Sequence, residues 1–195
     1  MRAGSATALV LLGATVLAAG ARVSAHRQDE YLHAARIAIE PSRIRVELSL
    51  TPGIAVAGAV IRDIDVNGDG ALSPAEQRSY AEQVLRGVSL RLDGTLVRLT
   101  LSNASCADPA ALRGGDAAMT LEAEAHRPSL AVGTHTISFR NANTAHGAVY
   151  LANALMPGDA RVAITKLAHD VDQSGLTVAF TVRPARGWQW LVGHF

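Results

Sequence analysis

The run Arg36-Ile37-Ala38-Ile39-Glu40-Pro41-Ser42-Arg43-Ile44-Arg45-Val46-Glu47-Leu48-Ser49-Leu50 places an aliphatic residue at every second position on both sides of a Pro-Ser break. Period two sends successive side chains to opposite faces of a strand. Ile37, Ile39, Ile44, Val46, Leu48 and Leu50 then share one apolar face, and Arg36, Arg43, Arg45 and Glu47 share the other. The spacing predicts a hairpin with one buried side. Further along, Val88, Leu90 and Leu92 lead into Asp93-Gly94 and then Val97, Leu99 and Leu101. Asp-Gly supplies the positive φ angles of a type I′ turn, which predicts a second hairpin. Alternation returns at residues 119–125, 135–140, 161–167 and 176–182, with Gly, Pro, Asn and Asp between the runs. Short strands at such intervals predict a mainly β chain, an antiparallel β-sandwich. Residues 103–115 read as a small-residue loop, and the chain has no internal repeat.

One segment breaks the rhythm. Val56, Val60, Ile61 and Ile64, then Tyr80, Ala81, Val84 and Leu85, recur at helical spacing. A helix-loop-helix at residues 54–86 is therefore expected between the second and third strands. Its centre reads Asp65-Val66-Asn67-Gly68-Asp69-Gly70-Ala71-Leu72-Ser73-Pro74-Ala75-Glu76. This matches the EF-hand loop, whose ligands stand at positions 1, 3, 5, 7, 9 and 12 with glycine at 6. Ca2+ is a hard cation that takes six to eight oxygens. The loop offers the side chains of Asp65, Asn67 and Asp69, the Ala71 carbonyl, Ser73 through water and a bidentate Glu76. Gly70 stands where the chain turns through φ > 0, and Leu72 is the apolar anchor. Ser73-Pro74-Ala75-Glu76 is also a helix capping box, with proline at the first helical position. That second reading accounts for the end of the motif but not for Asp65, Asn67, Asp69 and Gly70.

EF-hands normally pair through the residue at position 8, and no second complete loop is present. Asp170-Val171-Asp172-Gln173-Ser174-Gly175 resembles half of one, but Thr181 stands where the bidentate glutamate belongs, so the segment reads as a hairpin turn. An unpaired site outside the cytosol is expected to be weak, on the order of 10⁻⁴–10⁻³ M, and to act as a structural clip. The alternative is a homodimer that pairs its loops through Leu72.

The setting follows from the ends and the composition. Of 195 residues, 49% are apolar and 18% charged, with a formal net charge of +1. That balance suits a globular domain and disfavours nucleic acid as a partner. Lys166 is the only lysine among many arginines and alanines, a composition that points to a GC-rich bacterial genome. Arg2, the apolar run at 8–19 and the small residues Val23-Ser24-Ala25 read as a cleavable signal peptide over residues 1–25. The expected location is periplasmic or secreted, with no transmembrane segment in the mature chain, since the run is too short to span. Cys106 is the only cysteine, so no internal disulfide forms.

Cleavage there would leave His26 with a free α-amine beside its imidazole, a pair able to chelate copper or nickel if His33, His135, His146 or His169 joins it. His135 shares a strand face with Ile137 and Phe139 and reads rather as a satisfied core histidine. No catalytic motif stands out, and the expectation is a non-enzyme. Asn103-Ala104-Ser105 is a formal glycosylation sequon only. Trp188 and Trp190 read as a last strand or a surface anchor.

With those residues in view, most of residues 26–183 resembles the exported domain that precedes a HupE/UreJ-like membrane region in many bacterial proteins. The resemblance rests on His26-Arg27-Gln28-Asp29-Glu30-Tyr31-Leu32, Leu50-Thr51-Pro52-Gly53, the loop at 65–76, Phe139-Arg140-Asn141 and Tyr150-Leu151-Ala152-Asn153-Ala154-Leu155-Met156-Pro157. It implies a protein partner at the membrane surface. The membrane part, whose name suggests nickel, has no counterpart here, so transport does not carry over. The expected organisation is a signal peptide at 1–25, a β-sandwich at 26–183 interrupted by the EF-hand, and a tail at 184–195.

Overall fold

The computed structural model describes residues 29–126 and 130–185. The segment at 1–25 that is expected to be a signal peptide, His26, Trp188 and Trp190 lie outside the described residues. The chain is mainly β, with ten strands in two five-stranded sheets among the described residues.

The run that alternates so regularly forms β1 (Tyr31–Ile39) and β2 (Arg43–Pro52), paired antiparallel with Ile37 opposite Val46 and Ile39 opposite Ile44. Every second residue of both is buried, as period two requires. On the outer face Arg36 bonds Glu47, and Glu40 accepts from Arg43 at 2.7 Å and Arg45 at 3.1 Å. These cross-strand pairs fix which face meets water and hence the register.

Between β2 and β3 (Val88–Leu92) lie two helices, α1 (Ile54–Ile64) and α2 (Pro74–Arg86). Helix α1 buries Ala57, Val60, Ile61 and Ile64, and α2 buries Tyr80, Ala81 and Val84. Chain then runs through β4 (Thr95–Val97), β5 (Thr100–Cys106), α3 (Pro109–Arg113), β6 (Met119–His126), β7 (Gly133–Asn141), β8 (Ala148–Ala154), β9 (Val162–His169) and β10 (Gly175–Val182). The sheet orders are β5-β6-β2-β1-β8 and β4-β3-β7-β10-β9. Residues of both sheets and both long helices join in one apolar cluster, with Ile37, Val46, Leu121, Ile137, Val178 and Phe180 fully enclosed.

Three expectations need correction. Strand β1 pairs β8 in parallel, Tyr31 opposite Ala148 and Ile37 opposite Ala154, so the first sheet is not wholly antiparallel. Strand β8 itself escaped the alternation rule because Ala148, Ala152 and Ala154 carry little apolar contrast. The second hairpin is shorter than its pattern: Asp93 (φ 49°) and Gly94 (φ 77°) make the expected turn, but β4 ends at Val97. Leu101 belongs to β5, which pairs β6 in the other sheet. Alternation at 97, 99 and 101 shows which side is apolar but not which sheet receives it. Residues 103–106 continue β5 past an irregularity between Leu101 and Asn103, and Asp108 caps α3 through a 2.7 Å bond from Ala110 N–H, so 103–115 is not a loop.

The buried Asn141 amide and the half-buried Asn143 amide tie the helices to the sheets. Asn141 Oδ1 accepts from the backbone N–H of Asn143 at 3.1 Å and from its Nδ2 at 2.7 Å, and Asn143 Nδ2 also reaches the Val84 carbonyl of α2 at 3.0 Å. With its oxygen engaged there, Asn141 presents Nδ2 to His33 Nδ1 at 3.1 Å. His33 therefore accepts at Nδ1 and carries its proton on Nε2, which has no hydrogen-bond partner among the described residues. A Cβ at Gly87 would lie 2.4 Å from Asn143 Oδ1, so a larger residue there would displace this amide.

His33 is only 2% exposed, and burial lowers its pKa from 6.5 to about 4. Because the folded form binds its proton more weakly than the unfolded chain, this contribution is complete above pH 6.5 and is lost as pH falls toward 4. The loss is at most roughly 3 kcal/mol. His135 acts oppositely at higher pH, because its hydrogen bond to Asp93 raises its pKa. Melting temperature should thus drop between pH 6.5 and 4.5, before most carboxylates titrate. His33→Gln, which cannot titrate, should flatten that slope in a pH series of thermal melts.

Candidate metal centre

Residues 65–76 link the C-terminus of α1 to the N-terminus of α2. Ile64 is fully buried, and Asp65 N–H still bonds the Ile61 carbonyl at 2.8 Å, so the loop leaves a fixed helix end. Gly68 (φ 72°) and Gly70 (φ 83°) then carry the turn through conformations that an L side chain rarely adopts.

The turn closes around Asp65. Its Oδ1 accepts from Gly68 N–H at 2.9 Å and Asp69 N–H at 3.2 Å, and its Oδ2 accepts from Gly70 N–H at 3.0 Å. Asn67 Oδ1 accepts from Asp69 N–H at 2.8 Å, Asn67 Nδ2 donates to Asp69 Oδ2 at 3.0 Å, and Asp69 Oδ1 accepts from Ala71 N–H at 2.8 Å. From the far side Glu76 Oε1 accepts from Asn67 N–H at 3.3 Å. Asp65, Asn67, Asp69 and Glu76 are thus brought together through one short stretch of backbone.

Glu76 has two allegiances. Its Oε2 accepts from the Ser73 N–H at 3.0 Å and the Ser73 hydroxyl at 2.7 Å, while Glu76 N–H bonds Ser73 Oγ at 3.3 Å, completing the capping box. The Ser73 hydroxyl bond, then the Ser73 backbone bond, holds the Glu76 carboxyl below its ordinary range. Both readings of the motif's end are therefore compatible: the residue that starts α2 also faces the loop.

The donor set suits Ca2+ in kind, since every group offered is an oxygen, and Asp65 Oδ2, Asn67 Oδ1, both Asp69 carboxylate oxygens and Glu76 Oε1 each accept one hydrogen bond and keep a lone pair. Among the described residues, no group of three or more His, Cys, Asp or Glu side chains is placed to hold a metal ion. Asp65, Asp69 and Glu76 do not suffice alone. A cation here would draw as well on the Asn67 amide, the Ala71 carbonyl and Ser73, the mixed set that the loop sequence provides.

Two supports were not legible in the sequence. Gln77 donates from Nε2 to the Leu72 carbonyl at 2.7 Å and accepts at Oε1 from Cys106 N–H at 3.0 Å, stitching the loop's exit to β5. A lone polar helix residue gives no signal of this. Leu72 is half-buried against the core, so part of its apolar surface is covered within one chain. Asp63, in the last turn of α1, bonds His146 Nε2 at 2.6 Å, which fastens that helix to the segment before β8.

The remaining singled-out residues are engaged elsewhere. His135 bonds Asp93 at 2.8 Å and the Ala131 carbonyl at 2.9 Å, and His169 bonds the Ala152 carbonyl at 2.9 Å. Residues 170–174 form the turn between β9 and β10, with Asp172 Oδ1 accepting from the Ser174 N–H and hydroxyl. Burial pushes the Cys106 thiol up to about 11. Among the described residues, no helix is long and apolar enough to cross a membrane.

Ser73→Ala should cost about 1 kcal/mol by removing the cap of α2, and the loss should appear in chelator. Gly70→Ala should cost about 1–2 kcal/mol through its positive φ, since a Cβ would meet no atom within 4 Å. Urea unfolding of both variants in EDTA checks these values. No protein-family model, curated protein or solved structure matches this chain.

Proposed function

We propose that the chain is an exported calcium-binding module in which residues 54–86 form a single EF-hand inserted into a β-sandwich. Calcium is held by Asp65, Asn67, Asp69, Ala71, Ser73 and Glu76, and its role is structural rather than catalytic. The observation that carries this reading is the Asp65 carboxylate, wrapped by the N–H groups of Gly68, Asp69 and Gly70 with Asn67, Asp69 and Glu76 gathered beside it. A loop already closed in this way loses little further chain entropy on binding.

The ion would neutralise carboxylates that otherwise repel one another and would clip α1 to α2 at their exposed ends. Outside the cytoplasm, where calcium is plentiful, a weak site suffices. Free ligand at ten times the dissociation constant stabilises the folded state by about 1.4 kcal/mol. The likeness to the exported domain of HupE/UreJ-like proteins agrees with a non-enzymatic interaction module that meets a protein partner at the membrane surface.

Thermal melts of the mature chain, stripped with chelator and titrated separately with calcium, magnesium, copper and nickel, test the proposal. Calcium should raise the melting temperature by about 3–5 °C, and Glu76→Gln should abolish the rise. A strong copper or nickel shift with no calcium effect would overturn the reading and move attention to His26.

A further inference from the structure

Between α2, the β3–β4 hairpin and the start of β5 lies an open groove of about 760 Å³. Leu85, Leu96 and Leu99 are among the apolar residues that line it, and Leu96 is 61% exposed although it is a leucine on a strand. Its rim is basic. Arg78 is closed off by Glu82 at 3.1 Å, whereas the exposed Arg86 and Arg98 have no ion pair among the described residues.

The backbone on one wall is also open. Strand β4 is the edge of its sheet and pairs only β3. A two-residue turn closes on a pair that exchanges both hydrogen bonds, here Leu92 and Thr95, so the next pair, Arg91 and Leu96, turns its backbone groups away from one another. Leu96 therefore offers an N–H and a C=O toward the outer side of β4. Unpaired strand edges recruit extended chains, which bond through the main chain and are selected by the side-chain pockets.

We infer that this groove is a docking site for an extended, acidic segment of a partner protein, whose backbone adds to β4 at Leu96. Its aliphatic residues cover Leu85 and Leu99, and its carboxylates meet Arg86 and Arg98. Guanidinium forks bind carboxylates in bidentate fashion, and the two free ones set the sign of the partner. This deepens the interaction-module reading and rests on it. Helix α2 joins the two features, since Glu76 in its first turn belongs to the loop and Leu85 and Arg86 in its last turn wall the groove.

The test uses the mature full chain and a fluorescein-labelled peptide, Ser-Glu-Val-Glu-Leu-Asp-Val-Ser, in fluorescence anisotropy. Saturable binding is expected, weakened at least about tenfold in R86E/R98E and, more mildly, in R86A/R98A, both surface changes whose folding is checked by circular dichroism. A version with Lys at each acidic position, and one N-methylated at alternate residues, should not bind. Absence of binding up to about 1 mM, equal binding of the Lys peptide, or indifference to R86E/R98E overturns the inference. So does capture of phosphatidylglycerol vesicles in place of the peptide, which would assign the groove to a lipid surface. Glu76→Gln keeps the two proposals apart: it should abolish the calcium-dependent rise in melting temperature and leave peptide binding intact, and a wild-type chain that binds the peptide but shows no such rise sinks only the calcium reading.

Discussion

Each sheet has one apolar face, and neither face can leave water without the other. The enclosed residues of β1 and β2, Ile37, Ile39, Val46 and Leu48, share a cluster with Ile137, Val178 and Phe180 of the second sheet and with Val60, Ile64 and Val84 of the helices. At about 25 cal/mol for each square ångström of apolar surface removed from water, such a cluster is the dominant favourable contribution. Everything polar must then be arranged at its border or be satisfied within it. The Asn141 and Asn143 amides do the latter, and Asn143 binds the Val84 carbonyl in the same stroke that fixes the end of α2.

That arrangement explains why the loop at 65–76 is well defined although most of it is exposed. Ile64 and Tyr80 are held by the core, the Tyr31 and Tyr80 hydroxyls meet at 3.2 Å, and Gln77 bridges to Cys106, so both helix ends approach the loop from fixed positions. The twelve residues between them inherit their geometry from that frame, and their own hydrogen bonds complete it. A cation would add a clip to a structure already set by apolar burial.

Much of this was legible in the sequence, for physical reasons that differ by element. β1, β2, β6, β7 and β10 alternate apolar with polar or small residues, and one buried face writes that period directly, whereas β9 buries only Val162. The helices at 54–86 show their buried stripes, and Asp65, Asn67, Asp69, Gly70 and Glu76 are legible because few roles need those residues in that order. β8 was not, because alanine serves on either face, and neither was the handover at Arg98 and Leu99 from one sheet to the other, because alternation encodes a face and not a neighbour. The contacts of Gln77, Asn141 and His33 depend on residues far apart in the chain, which local pattern cannot bring together.

The parallel pairing of β1 with β8 has a kinetic meaning. Strand β1 begins the described chain, yet one of its two edges is filled only by residues from 148 onward. Closing so long a connection costs loop entropy before any burial rewards it, and contacts between distant residues slow folding. A chain that emerges from its N-terminal end therefore holds an open aliphatic strand edge until most of its length has arrived. Assembly of the first sheet is a late event, and the unfinished chain is the form most exposed to aggregation and to rescue by chaperones.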